Sequence, residues 1–402
     1  MPRRIVVAAG VALLLGACTA GPTETPRTRE PGSTDDRLEL SAAPLWRGDA
    51  DGLPDIMQGG FTSARFVDGL LLLEWADDTT AVVDPDTGKP VWTADPELRV
   101  GATAKGVELW HHEGKAPMGR VAGETAVFAD YIPEPGTLPE VAAVRLRDAS
   151  PLWHVPDPYD VVDADDRLVV LTGDEPVARG LDATTGATRW DVPGVWPRFV
   201  AGDRVLAEAS SKAPDLDAAD STVVGLDAAT GHQLWSLADR YTRSEVAFVA
   251  GDVALVYARA AGTDTERDVA VVVDVSSGAE ITRLGWDRGA RTTCATDGST
   301  VIACTLDEEL GEHPGESARL ITFDVPTRKS HPAPAKDLAD TEVVAVRGDY
   351  VFVRDGHVTW AVDRFGTRVS DDLPGDLVGM DDRHMVVRLA GRTPVPAAYT
   401  VR

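Results

Sequence analysis

One ten-residue frame recurs along this 402-residue chain and limits its fold more than any other feature. It reads apolar-Asp-x-x-Thr-Gly-x-x-x-Trp, and three copies align without gaps: Val83 to Trp92, Leu181 to Trp190 and Leu226 to Trp235. A fourth copy, Val273 to Gly278, keeps the turn but has Thr282 where the tryptophan should stand, and degraded copies follow at Asp324 and Asp363. Each residue type has a physical task. Asp and Thr side chains hydrogen-bond the backbone of a turn, and glycine takes the positive φ of a bulged hairpin. Tryptophan, on the strand that follows, offers a large apolar plate with one N–H donor, suited to packing one unit on the next.

A second set of hairpin signals alternates with the first. Asp68-Gly69, Lys105-Gly106, Asp165-Asp166, Gly202-Asp203, Gly251-Asp252, Asp297-Gly298, Gly348-Asp349 and Asp381-Asp382 each stand between apolar runs. The mean step of about 45 residues matches a four-stranded propeller blade. Runs such as Val269 to Val273 and Val343 to Val346 are apolar on consecutive residues, as strands covered on both faces are. The expected fold is all-β: an eight-bladed β-propeller of four-stranded antiparallel blades, with seven blades the alternative if the degenerate C-terminal units merge. The last unit runs out after three strands. Leu40 to Trp46 has no partner strand before it but is similar to Ala149 to Trp153, the end of the second unit. The segment near 38 to 47 is therefore expected to supply the missing outer strand and close the ring, giving one propeller over 38–402.

The Asp-x-x-Thr-Gly-x-x-x-Trp frame resembles the repeat of PQQ-type β-propellers, a family that includes quinoprotein dehydrogenases and BamB-type assembly lipoproteins. The resemblance covers nearly all of the chain beyond its leader. It implies that repeat glycines and tryptophans dock blade to blade, here Gly88 with Trp92, Gly186 with Trp190 and Gly231 with Trp235; such residues report architecture, not chemistry. A quinoprotein dehydrogenase would need a cofactor cleft, a calcium or lanthanide site and a catalytic carboxylate, and many members carry a disulfide between adjacent cysteines. No adjacent cysteines occur here, and the long insertions that build that cleft are missing.

The N-terminus gives an address. Arg3 and Arg4 precede an uncharged run from Ile5 to Leu15, then Gly16, Ala17 and Cys18, the charged, apolar, small-residue order of a secretory signal. The apolar run is about a dozen residues, short of the roughly 20 that cross a bilayer. Leu15-Gly16-Ala17-Cys18 resembles the lipobox of bacterial lipoproteins, which implies lipidation at Cys18 and a signal over 1–18. Residues 19–37, rich in Thr, Pro, Glu and Arg, cannot offset their own ordering by burial and read as a tether. As a flexible coil it would span roughly 25 Å. The expected location is the extracytoplasmic face of the cell membrane.

Charge narrows the partners. Without Arg3 and Arg4, 37 basic residues stand against 65 acidic ones, a formal −28. Such a surface repels phosphate backbones, so nucleic acid is excluded. Cys294 and Cys304 flank a strand-turn-strand pattern centred on Ser299, with even spacing that lets both side chains share one face. An oxidising compartment favours a disulfide between them, with two buried thiols as the alternative.

No catalytic constellation emerges. His111 and His112, before Glu113, would point to opposite faces of a strand and share a metal poorly. Asp307, Glu308, Glu309, Glu312, His313 and Glu316 lie in a Gly- and Pro-containing insertion and read as a solvated loop. Asp84 and Asp86 begin like a calcium loop, but the rest of that motif is missing. There is no Gly-x-Ser-x-Gly elbow, phosphate loop or dinucleotide fingerprint. The expectation is a non-enzymatic scaffold, without cofactor or metal, that binds a protein or cell-envelope polymer. Its best loop candidates are Gly114 to Glu140, Ser210 to Asp220, Ala260 to Arg267 and Glu308 to Glu316. The alternative is a quinoprotein-type enzyme or solute binder using the central channel.

Overall fold

The structure is a computed structural model. It describes residues 38, 40–41, 43–47, 61–67, 69–75, 80–94, 120–122, 125–131, 140–145, 150–156, 159–173, 175–210, 221–260, 268–284, 291–307, 319–334, 338, 341–356, 358–381, 383–389 and 395–401. The propeller lies within one compact unit, Asp36–Arg402. The described strands form eight antiparallel sheets, seven of four strands and one of three. Within blades 1 to 7 sequence neighbours pair in order, as hairpin connections dictate. Blade 1 spans 61–94, blade 2 120–156, blade 3 160–193, blade 4 195–236, blade 5 241–283, blade 6 291–334, blade 7 342–363, and blade 8 376–400 with Trp46–Arg47.

First strands of successive blades touch one another from blade 2 through blade 8, and that of blade 8 touches that of blade 1, so first strands line the ring's interior. Second strands are hidden on both faces, as in Leu168 to Leu171, whereas fourth strands are largely exposed. The apolar core is consequently divided among the interfaces between blades. Leu206 and Val223 of blade 4, for instance, pack with Val256, Val271 and Val273 of blade 5.

The ring closes through the chain's two ends. Trp46 pairs with Ala398 and Arg47 with Ala397, antiparallel, and Leu40 bridges Val401. The N–H of Leu38 donates to Val369 O at 3.0 Å, so the entering segment also touches blade 7. Pairing first and last segments covers the edge of Val395–Thr400 and leaves only the short strand Trp46–Arg47 outermost.

Two expectations need correction. Blade 2, whose expected hairpin at Lys105-Gly106 lies outside the described residues, carries strands within the expected loop 114–140. Its first hairpin turns between Arg120–Ala122 and Thr125–Tyr131, so 114–140 is not one loop but contains two strands. Thr125–Tyr131 is held in the sheet through Val127, which pairs with Ala143 and is fully buried. Blade 7, second, has three strands. Where the fourth should run, Arg368 makes one isolated bridge to Val362, and Ser370 Oγ accepts from Ala361 N at 2.7 Å. A side chain there takes a donor that a fourth strand would have used.

The repeat turns behave as their residues require. Asp182 Oδ1 accepts from Thr185 N at 2.9 Å and Thr185 Oγ1 at 2.9 Å, and Asp227 does the same with Thr230. Gly186 and Gly231 have φ of 70° and 72°. The docking register, however, is offset by one blade from the pairing within each repeat. Gly186 faces Trp153 of blade 2 and Gly231 faces Trp190 of blade 3, while Gly278 faces Trp235 and Gly88 faces Trp46. A Cβ on Gly186 would stand 2.7 Å from the Trp153 ring. Each indole Nε1 also donates to the turn it covers: Trp46 to Pro85 O at 2.8 Å, Trp153 to Ala183 O at 2.8 Å, Trp190 to Ala228 O at 2.9 Å and Trp235 to Val275 O at 3.0 Å. A tryptophan follows its own turn onto the outermost strand, from which only the neighbouring blade's turn is within reach. The side chain of Trp92 lies outside the described residues.

Candidate functional site

Antiparallel alternation sorts the connections between the two faces of the ring. Turns between first and second strands, and between third and fourth, fall on one face; second-to-third connections and the links between blades fall on the other. The first face carries the short Asp- and Gly-rich turns. On the second lie the strand ends that flank 132–139, 211–220, 261–267 and 308–318, each of which joins a second strand to a third. These cover Ser210 to Asp220, Ala260 to Arg267 and Glu308 to Glu316 of the sequence reading, which beyond their strand ends lie outside the described residues. Counting hairpins from the start of each blade is the signal that gathers them onto one face.

On this same face, where the first strands of blades 3, 4 and 5 begin, lies a cleft of about 490 Å³. Trp196, Pro197 and Phe199 supply apolar wall, with Val161 and Val246 beside them. Arg198 Nη2 and Glu208 Oε2 form an ion pair at 2.8 Å, and the Glu208 side chain is only 5% exposed. Glu208 Oε1 also accepts from Val246 N at 3.3 Å, so this carboxylate ties blade 4 to blade 5. Asp160 and Thr172, register partners on adjacent strands, complete the cleft with Glu245. Among the described residues Asp160 has no side-chain partner, and the Thr172 hydroxyl is shut off from solvent without a hydrogen bond. None of these residues was singled out from sequence, because they come from three blades and form no motif along the chain.

The residues read from sequence are otherwise distributed. Cys294 and Cys304 form a disulfide across directly paired positions of blade 6, with Cα atoms 4.1 Å apart. Cys18, His111, His112, Glu113, Glu308, Glu309, Glu312, His313 and Glu316 lie outside the described residues. Asp84 accepts from Thr87 N and Oγ1, which is turn chemistry. Asp86 faces His384 of blade 8, whose Nε2 is 3.0 Å from Asp86 Oδ1 while its Nδ1 is 3.0 Å from Asp381. The His384 contact holds the Asp86 carboxyl below its usual range. No group of three or more His, Cys, Asp or Glu among the described residues is placed to hold a metal ion. Asp182 titrates at about 2, drawn down first by the hydrogen bond from Arg189 and then by Thr185. Among the described residues no helix is long and apolar enough to cross a membrane.

Residues 76–369 match the family model described as outer membrane protein assembly factor BamB, which spans well over half of the chain; the chain belongs to that family. Its fold is similar to BamB from Moraxella catarrhalis, with a TM-score of 0.51 and 14% identity over 90% of this chain and 97% of that one. The computationally designed Ika8 protein is similar at a TM-score of 0.52 and 15% identity, over 86% of this chain and 96% of that one. Saccharomyces cerevisiae Sqt1 gives 0.51 and 12% identity, over 86% and 97%. At these identities the likeness is one of fold. No curated protein matches the chain significantly.

Proposed function

We propose that this chain is exported, lipidated on Cys18 and held at the extracytoplasmic face of the cell membrane, where its propeller serves as a non-enzymatic scaffold for a protein or envelope polymer. The observation that carries the scaffold role is the sorting of connections. The strand ends that bound the long connections within blades share one face with the cleft of blades 3 to 5, while the opposite face is spent on turns that pin the blades. Long loops on a rigid frame are where recognition concentrates. Membership in a family described as an assembly factor supports a protein partner in general terms. The leader, Cys18 and the tether over 19–37 support the anchor.

Two experiments test the reading. Cys18→Ser should move the protein from membrane to medium; a variant that still pelleted with membranes would remove the anchor. Capture from membranes after mild crosslinking should enrich one partner with the native chain and lose it when 211–220 is replaced by a short Gly-Ser turn. An unchanged capture would remove that face as the binding surface. Added calcium with PQQ should leave the melting temperature unmoved, whereas a saturable rise would favour the quinoprotein alternative.

A further inference from the structure

We infer that the cleft of blades 3 to 5 is a receptor for a basic side chain, lysine or arginine, presented on an extended segment of a polypeptide partner. The inference rests on the scaffold reading above and gives that scaffold a specificity. The Arg198 guanidinium is already committed to Glu208 at 2.8 Å. That leaves the carboxylates of Asp160 and Glu245 as the charge in the cleft, with Glu245 only loosely engaged by Arg243 at 3.6 Å. Ionised carboxylates accept hydrogen bonds and donate none. Asp160 has no side-chain partner among the described residues and shares the lining of the cleft with Glu245.

The missing component is therefore a cation bearing several N–H donors, which describes an ammonium or a guanidinium. The walls suit the remainder of such a side chain: Trp196 and Phe199 can cover an alkyl stem, and an indole face attracts a cation. The formal charge of −26 on the whole chain adds long-range attraction for a basic segment. An acidic or purely apolar segment would leave Asp160 and Glu245 as they are.

The test is calorimetry on the detergent-solubilised mature chain. The probe is a Gly-Ser nonapeptide with one central lysine, and its control has norleucine at the same place. The lysine peptide should bind saturably and the norleucine peptide at least about ten-fold more weakly, with the lysine affinity falling as salt rises from about 0.05 M to 0.5 M. Asp160→Asn should weaken lysine-peptide binding by a similar factor. Glu245→Gln, at an exposed position, repeats the test where Asp160→Asn disturbs folding, and Glu342→Gln in blade 7 should have no effect. Equal binding of both peptides, no saturable binding, or an affinity indifferent to both cleft variants would overturn the inference. Lysine-peptide binding without any crosslinked partner would instead count against the scaffold reading while leaving the cleft intact.

Discussion

The joint between blades 3 and 4 and the joint between blades 5 and 6 put the same turn position to opposite uses. At the first, Gly231 leaves room for the Trp190 ring, which is 7% exposed. At the second, blade 5 has Thr282 in place of tryptophan, and blade 6 has Arg328 in place of glycine. Arg328 adopts a φ of 55°, the left-handed region its neighbours' glycines enter freely, and it is the one non-glycine among the described residues to do so. Its Nη2 donates to Asp252 at 2.6 Å and Asp274 at 2.8 Å, gripping both turns of the preceding blade. Arg364, which directly follows Asp363 and is not at the glycine position, also reaches back one blade, 3.1 Å from Asp324, where Pro332 stands in the tryptophan position of blade 6. Between blades 5 and 6, loss of the plate and loss of its seat go together, and a cation spans the gap.

The two joints are not equivalent in energy. Burying an aromatic ring contributes several kcal/mol, whereas exposed ion pairs are worth about 0–1 kcal/mol each. Blade 6, with no tryptophan on either side, has other supports. Thr293 Oγ1 accepts from Val343 N at 2.7 Å and Thr305 Oγ1 donates to Thr341 O at 3.2 Å, both reaching toward blade 7. Its first two strands are also cross-linked by Cys294 and Cys304. Blade 6 still shares apolar cores with blades 5 and 7; a tryptophan plate adds to such a core at the first joint, and charge, hydroxyls and a covalent bond add to it around blade 6.

The largest expected effect is at the plates. Trp190→Ala should cost about 3–5 kcal/mol in urea unfolding, and a loss below about 1 kcal/mol would dissolve the distinction between joints. Reducing the Cys294–Cys304 bond should cost about 2–3 kcal/mol on chain-entropy grounds, read as a lower melting temperature in dithiothreitol that a Cys294→Ser, Cys304→Ser variant reproduces. Gly231→Ala should cost about 2 kcal/mol, because the new Cβ combines a positive φ with contact against Val192 and Trp190. Arg328→Gly should change stability by no more than about 1 kcal/mol, since two exposed ion pairs are lost while an unfavourable φ is relieved. Adding Thr282→Trp to it should exceed native stability and abolish the joint's sensitivity to salt. Failure of the double variant to gain would show that the plate needs more than an empty seat.

The smallest effect is a response to acid. Burial alone would raise Asp274, yet donors from Ser276, Ser277 and Arg328 bring it to about 2, and Asp182 is also held at about 2. A depressed folded-state value stabilises above the unfolded carboxylate value and loses that contribution as pH falls through the folded one. The melting temperature should therefore decline between about pH 4 and pH 2, less steeply in Asp274→Asn, and a flat profile would show the turns do not depend on ionised aspartate.

Much of this architecture is set by residues that are close in sequence. Asp182, Thr185 and Gly186 complete their turn within five residues, so the hairpin is legible without the ring. The eight-unit count and the closing role of Leu40 to Trp46 are visible for the same reason, since each blade repeats local chemistry. What tertiary structure alone decided involves distance along the chain. Trp190 meets a carbonyl 38 residues away rather than its own repeat's glycine, because an outer strand faces the next blade and not its own turn. Arg120–Ala122 and Thr125–Tyr131 are strands inside a stretch that reads as one loop, because Val127 has a buried partner in Ala143. The cleft is the extreme case: Asp160, Thr172, Arg198, Glu208 and Glu245 carry no common signature, and only the convergence of three blades makes them neighbours.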